Sequence, residues 1–440
     1  MSEESIPFSR PFIGAEEEAA VLTVLRSGWL TTGKETHSFE KEFSDFLNKA
    51  GFSGGEELYC MAVNSATSGL HLALEACGVG QGDLVLLPSL TFTATAEVAR
   101  YLGAEAVFVD VEEDRFNMSP SCLEMTLQRL AKGLPAYPPR ASGASSTAEA
   151  ATGSAGTTSA VSEGFGPSGK AAAVIPVHYG GLPCDMDAIL AIAKKYRVKV
   201  IEDAAHSFPS LIEGGQGSKR YAGTLGDAGV FSFYATKTIT TGEGGMLVTR
   251  SKDIAERVKI MRSHGIDRSV WNRYSDSKAS WFYQVVAPGF KYNIPDILSS
   301  IGRAQLRRAE SLLSMRHELA SLYDTAFSGD ERFIIPPTGS GDARHLYPLR
   351  LKTENLSIGR DEFAAQMQER GIGISVHFIP LHTMPYYKER YSLQSGDFPN
   401  TLDTFSKSIS LPLWPGMREN EVHRVISAAK DIADKYGKTR

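Results

Sequence analysis

Apolar positions in this chain fall in short unbroken runs, separated by longer stretches where apolar residues recur every three or four positions. Residues 58–63 form one such run, and Asn64-Ser-Ala-Thr-Ser68 then opens an amphipathic stretch through Leu70-His-Leu-Ala-Leu-Glu-Ala76. Unbroken runs of this length suit strands buried on both faces, and the wider spacing suits helices with one apolar face. The alternation repeats as strand 84–87, helix 93–102 and strand 106–111, then as strand 172–177, helix 185–196 and strand 198–201. Ahead of it stand a helix over 15–27, stopped by Gly28, and a second over residues 35–48. The pattern predicts an α/β fold with a mostly parallel central sheet covered by helices. Ligands in such sheets bind at the carboxyl ends of the strands.

Past His264 the pattern changes. A polar, aromatic stretch over 271–281 leads to Gly289-Phe-Lys-Tyr-Asn-Ile-Pro295, and one long helical pattern then spans residues 296–327. Short strands at 345–351 and 374–379 mix with helices at 360–370 and 420–436. The expected organisation is a larger domain over 1–262 and a smaller C-terminal α+β domain over 263–440. Residues 131–170, rich in Ala, Gly, Ser, Thr and Pro, lack the apolar side chains to offset ordering entropy and read as a disordered insertion. Within it, Gly164-Phe-Gly-Pro-Ser-Gly169-Lys170-Ala171 imitates a phosphate-binding loop. Ala171 stands where a hydroxyl is needed for Mg²⁺, and no strand precedes the loop, so nucleotide hydrolysis is excluded.

Composition narrows the classes further. A net charge of -5 over 440 residues gives no basic excess for nucleic acid or an acidic membrane surface. Cys60, Cys77, Cys122 and Cys184 lack paired spacing, which argues against a zinc or redox motif and for a reducing compartment. No apolar run approaches membrane-spanning length, and the acidic N-terminus has no secretory character. A cytoplasmic protein is expected.

The candidate chemistry centres on Phe231-Ser-Phe-Tyr-Ala-Thr-Lys237-Thr-Ile-Thr-Thr-Gly-Glu-Gly-Gly-Met246, where an apolar run, one lysine and a glycine cluster follow in order. An ammonium held between a strand and a glycine-rich turn is either a surface charge or a nucleophile kept in a dry pocket. Val198-Lys-Val-Ile-Glu-Asp203-Ala-Ala-His206 ends a strand in two carboxylates. Asp203 there suits a helix N-cap or the partner of a protonated heteroaromatic nitrogen, as in pyridoxal phosphate enzymes. The small and hydroxyl residues at 64–69 leave backbone N–H groups free for an anion, with Ser232 available as a second hydroxyl source. In Pro88-Ser-Leu-Thr-Phe92-Thr-Ala-Thr95, Phe92 can stack on a flat ring or fill the core. Together they compose one site: an anion nest, a stacking ring, a carboxylate and an amine for an aldehyde.

With these motifs the chain resembles the DegT/StrS group of pyridoxal-phosphate sugar aminotransferases. The likeness runs from Ser27-Gly-Trp-Leu-Thr-Thr-Gly33 to Leu411-Pro-Leu-Trp-Pro-Gly416, apart from the insertion. It rests on Ser65-Ala-Thr-Ser-Gly-Leu, Glu202-Asp-Ala-Ala-His, Ser232-Phe-Tyr-Ala-Thr-Lys237, Gly242-Glu-Gly-Gly and Gly289-Phe-Lys-Tyr-Asn-Ile-Pro-Asp-Ile. The last, preceded by Arg262-Ser-His-Gly, is similar to enzymes that aminate UDP-linked 4-keto sugars.

The resemblance implies the type I fold of pyridoxal phosphate enzymes and a homodimer with shared active sites. It implies a nucleotide-sugar substrate and glutamate as the amino donor. By position, Lys237 would bind the cofactor aldehyde, Asp203 would pair with the ring nitrogen, and His206 would lie near the phenolic oxygen. Thr67, Ser68 and Ser232 would hold the phosphate, with Asn293 reaching it from the neighbouring subunit. Phe92 would stack on the ring, and Thr31 and His377 would meet the sugar. A related dehydratase branch carries histidine where this chain has Lys237. Lys291 departs from the asparagine common among relatives.

Overall fold

The computed structural model describes residues 5–49, 57–140, 164–213, 219–267, 282–339 and 341–438. Its strands in chain order begin with β1 Tyr59–Val63, β2 Leu84–Pro88, β3 Glu105–Val109, β4 Ala171–Val174 and β5 Lys199–Asp203. They continue with β6 Leu211–Glu213, β7 Lys219–Tyr221, β8 Ala228–Ser232 and β9 Gly245–Thr249. Seven of these form one sheet in the order β1-β9-β8-β5-β4-β2-β3, while β6 and β7 pair in a separate hairpin. The pairings from β8 through β5, β4 and β2 to β3 are parallel, as the strand-helix alternation predicts. β9 runs antiparallel to β8 and β1, because residues 233–244 return the chain directly instead of crossing over through a helix.

All five residues of β2, β8 and β9 are buried, which explains their continuous apolar character. One face is covered by helices including Ala66–Ala76, where Gly69 packs so tightly that a Cβ would lie 2.6 Å from Val230. The other face carries an aromatic cluster in which Phe43 of helix Lys34–Asn48 meets Phe208, Phe231 and Phe233.

A further core surrounds the three-stranded sheet of β10 Phe333–Ile334, β11 Tyr347–Leu351 and β12 Ser408–Leu411. Packing crosses the expected 262/263 division in both directions. Ile6 joins this later core, and Leu381, Tyr387, Tyr391 and Phe398 join the core of the large sheet.

Three expectations change. The pattern over 296–327 forms two helices, Asp296–Arg307 and Ala309–Phe327, parted at Arg308, whose guanidinium is held by Glu17. No glycine or proline marks that break. Residues 374–379 are not a strand beyond one bridge from Ser375 to Ser410. There the Tyr179 hydroxyl donates to the His377 carbonyl, taking an acceptor that a ladder would use.

The insertion is also shorter than 131–170. Tyr137 and Phe165 exchange backbone hydrogen bonds at 3.1 and 3.0 Å, and the amide of Phe108 donates to the Tyr137 hydroxyl at 2.8 Å. Arg140 lies over the Phe165 ring at 3.8 Å and pairs with Asp397. Residues 141–163, and the aromatic stretch at 271–281, lie outside the described residues. Lys170 leads into β4 and not into a helix, consistent with rejecting a phosphate loop there. Among the described residues no helix is long and apolar enough to cross a membrane, and no cluster of His, Cys, Asp or Glu could hold a metal ion.

Candidate active site

A cavity of about 570 Å³ opens at the carboxyl edge of the large sheet. Seven of the residues singled out from sequence line it: Thr67, Phe92, Asp203, His206, Ser232, Lys237 and His377. They arrive from the ends of β1, β2, β5 and β8 and from the segment before β12.

The anion end is built where β1 gives way to helix Ala66–Ala76. Ser65 caps the helix, accepting from the Ser68 amide at 3.1 Å, and Ser65 and Thr67 both face the cavity. Gly245 of β9 lets this terminus come close, since a Cβ there would meet the Ala66 nitrogen at 2.8 Å. Ser68 is not in the wall. Its hydroxyl donates to Asn64 Oδ1 at 2.5 Å and accepts from the Ser65 amide at 3.2 Å, which commits it to the cap.

Asp203 ends β5 facing the cavity, while Glu202 faces the opposite side, as strand alternation requires. Glu202 is fully buried. It accepts from the amides of Gly223, Leu225 and Gly226, and from Nε2 of the equally buried His178 at 2.9 Å. Burial raises the pKa of Asp203, against hydrogen bonds from Thr95 and the Ala205 amide and the charge of Lys237. Thr95 Oγ1 donates to Oδ2 at 2.9 Å, and the Ala205 amide donates to Oδ1 at 3.2 Å.

Lys237 follows β8 in the return segment. Its low-polarity surroundings pull its pKa down to about 8, with Asp203 opposing and the buried Arg316 guanidinium assisting. The lysine therefore carries a substantial neutral fraction near physiological pH.

Three histidines gather on the far side. The Gly180 amide donates to His206 Nδ1 at 3.3 Å, which leaves the proton of the neutral ring on Nε2. Burial first, and then the charge of Lys237, holds His206 well below the usual histidine range. His377 lies 2.9 Å from Ser410 Oγ through Nδ1, and burial beside Lys237 lowers it to about 4. His345 was not anticipated. It is buried in the cavity wall with its ring 4.6 Å from that of His206. It sits in Asp342-Ala-Arg-His345-Leu-Tyr, which carries no local signal beyond one histidine before a strand. Phe8, Ser9 and Phe378 also line the cavity without having been anticipated.

Phe92 stands at the mouth, 59% exposed, with Phe378 as its ring neighbour at 5.9 Å. Asn293 and Thr31 do not line the cavity of their own chain. Asn293 Nδ2 donates to Thr32 Oγ1 at 2.6 Å, and Thr31 is exposed.

Comparison with known proteins identifies the fold's relatives. The model of the DegT/DnrJ/EryC1/StrS aminotransferase family matches residues 11–134 and 164–430, leaving out the insertion. The chain belongs to this family. The spore coat polysaccharide biosynthesis protein SpsC of Bacillus subtilis is 38% identical over 430 residues, covering 97% of each chain. Spr1654 of Streptococcus pneumoniae, assigned as a sugar aminotransferase and solved in its PLP form, is 27% identical with a TM-score of 0.78. That match covers 98% of this chain and 99% of the other. The aminotransferase TlmJ of Streptoalloteichus hindustanus is 29% identical with a TM-score of 0.77, over 98% and 99% of the two chains.

As a member of the family the protein is a pyridoxal-phosphate-dependent aminotransferase. The donor chemistry of the cavity fits that cofactor. A helix N-terminus with hydroxyls suits a phosphate, and a half-buried amine suits an aldehyde. Among the described residues no guanidinium or ammonium is bonded to the buried carboxylate of Asp203, which therefore suits a cationic ring nitrogen.

Proposed function

We propose that the protein moves an amino group from glutamate to the keto carbon of a nucleotide-linked sugar. Lys237 and Asp203, distant in sequence yet facing one cavity, carry this reading. The relatives described as a polysaccharide biosynthesis protein and a sugar aminotransferase support the substrate class.

In this reading Thr67, Ser232 and the N-terminus of helix Ala66–Ala76 would hold the cofactor phosphate, Phe92 would meet the ring, and Asp203 would pair with its nitrogen. Bound there, pyridoxal phosphate supplies an aldehyde that condenses with amines and a ring that withdraws electrons from the attached carbon. Lys237 Nζ would hold the cofactor's aldehyde and, when free of it, would move a proton at the substrate carbon. Its lowered pKa suits both tasks near neutral pH. His206 donates from Nε2 while uncharged. His377, also neutral, offers a polar contact to a sugar hydroxyl, and Phe8, Phe92 and Phe378 offer flat apolar surface. Glutamate leaves as its 2-oxo acid, and the sugar carbon gains the amine.

The enzyme acts as a homodimer. Asn293 has a second amide N–H beyond the one given to Thr32, and it serves the phosphate in the cavity of another copy. Thr31, exposed and beside that asparagine's partner Thr32, meets the sugar there.

The test incubates the cofactor-loaded enzyme with glutamate and a panel of UDP- and dTDP-linked keto sugars, with products followed by mass. An amino sugar and an equivalent of 2-oxo acid are expected from at least one acceptor. Lys237→Ala should form neither and should lose the visible absorbance of the lysine-bound cofactor. Amination of simple keto acids, with silence across the sugar panel, would overturn the substrate class.

A further inference from the structure

Beside Asp203, in the wall of the same cavity, Thr91 and Thr95 form a short chain of hydroxyls with a fixed direction. An ionised carboxylate only accepts hydrogen bonds, so the Thr95 hydroxyl spends its single proton on Asp203 Oδ2 at 2.9 Å. Thr91 Oγ1 lies 2.8 Å from Thr95 Oγ1, and with the Thr95 proton committed, Thr91 must be the donor in that pair. Both side chains are essentially out of solvent, at 1% and 0% exposure, so water does not replace either donor. The other carboxylate oxygen is met by the Ala205 amide at 3.2 Å. Among the described residues each oxygen thus has one neutral donor. The charged or titratable groups acting on Asp203 are Lys237, across the cavity, and His178, behind it.

We propose that Thr91 and Thr95 are positioning residues that hold Asp203 charged and in one orientation, and thereby set how firmly it grips the cofactor's ring nitrogen. The chain works in series: Thr91 polarises Thr95, and Thr95 stabilises the anion. A donor fed by a second donor is a stronger donor, and hydrogen bonds to a charged group outweigh those between neutral groups. Thr91 precedes helix Ala94–Tyr101 and Thr95 lies in its first turn, so the two hydroxyls meet where the chain enters the helix. Because each threonine contributes a hydroxyl and a methyl, the two contributions separate experimentally.

The inference rests on the proposed role of Asp203, and the experiment keeps the two apart. Asp203→Asn, Thr95→Val, Thr95→Ser and Thr91→Val are each titrated with pyridoxal phosphate. The readouts are the dissociation constant and the pH at which the visible band of the bound cofactor changes, with apo-protein melting followed alongside. Thr95→Val should weaken cofactor binding roughly tenfold or more, the worth of a hydrogen bond to a buried charge. It should also displace the spectral midpoint. Thr95→Ser should restore both, and Thr91→Val should move both in the same direction by less. The relay is overturned if Thr95→Ser is as impaired as Thr95→Val, or if both valine variants bind and titrate like the parent while Asp203→Asn is weakened. If Thr95→Val does not fold, Thr91→Val decides by the same two readouts. Unaltered binding and spectrum in Asp203→Asn would remove the role of Asp203 and the relay with it.

Discussion

Lys237 owes its reactivity to its surroundings. A free lysine titrates near ~10.4 and is almost wholly protonated at neutral pH. In the cavity the lysine is held at about 8, and its neutral, nucleophilic fraction rises as pH passes upward through that value. The rate at which apo protein takes up pyridoxal phosphate should therefore climb with pH to half its maximum near about 8, followed by stopped-flow absorbance. A midpoint two units higher would mean that the side chain behaves as a solvated amine. At this scale the sequence was partly legible. Lys237 and Asp203 stand out because a lysine after an apolar strand and a carboxylate ending one are expensive to place without purpose. Ser68 misled, because a hydroxyl at a helix entry looks the same whether it faces a ligand or closes a capping box. His345 and the link from Thr95 to Asp203 gave no signal, since each depends on a neighbour more than a hundred residues away or on a wall formed only on folding.

The elements are held in place by buried charge as well as apolar contact. Glu40, on helix Lys34–Asn48, accepts from the Ala62 amide of β1 at 2.9 Å and from Arg262, just after helix Lys252–Met261, at 2.5 Å. Burial alone would raise its pKa, but Arg262, His37 and the Ala62 amide together bring it to about 2. A carboxylate depressed in the folded state contributes stability that is complete above its ordinary value and is lost as pH falls through the folded one. Glu40→Gln should cost about 3 kcal/mol near neutral pH, because the guanidinium is left buried without its partner. The difference from the parent in urea unfolding should stay constant above pH 4.5 and shrink as pH falls toward about 2. A difference that does not vary with acid would show that the pair adds no charge-dependent stability. Element boundaries were legible where period and punctuation agreed, as for β1 and β2. They failed at Arg308, where an unbroken helical period hides a change of direction, and at 374–379, where strand-like alternation belongs to a segment bonded to Tyr179.

At the scale of the whole molecule, the insertion leaves and rejoins the body at one point. Tyr137 and Phe165 are paired through their backbones, and Arg140 is anchored to both Phe165 and Asp397. The two ends are thus already closed by ordered contacts, and the entropy cost of joining two such fixed ends varies slowly with the length of the connection. Replacing residues 141–163 by a short glycine-serine linker should leave kcat/KM and the melting temperature unaltered. A variant that folds yet does not turn over would make the segment part of the enzyme's working surface. Compositional bias drew the segment as 131–170, and it could not see that Tyr137 and Phe165 are paired through their backbones within those bounds. The large sheet's core also takes in residues 381–398, so the halves of the chain share their packing despite the change in pattern after residue 263.

The sequence by itself determined the succession of strands and helices, and which reactive side chains fall at strand ends. Both follow from local periodicity and the cost of burying polar groups. Only the tertiary structure decided which of those groups share a cavity and which hydroxyls are spent on their own backbone. It also decided which neutral donors stand beside the carboxylate. Those outcomes depend on distances between segments far apart in the chain, and local patterns of residues do not encode distance.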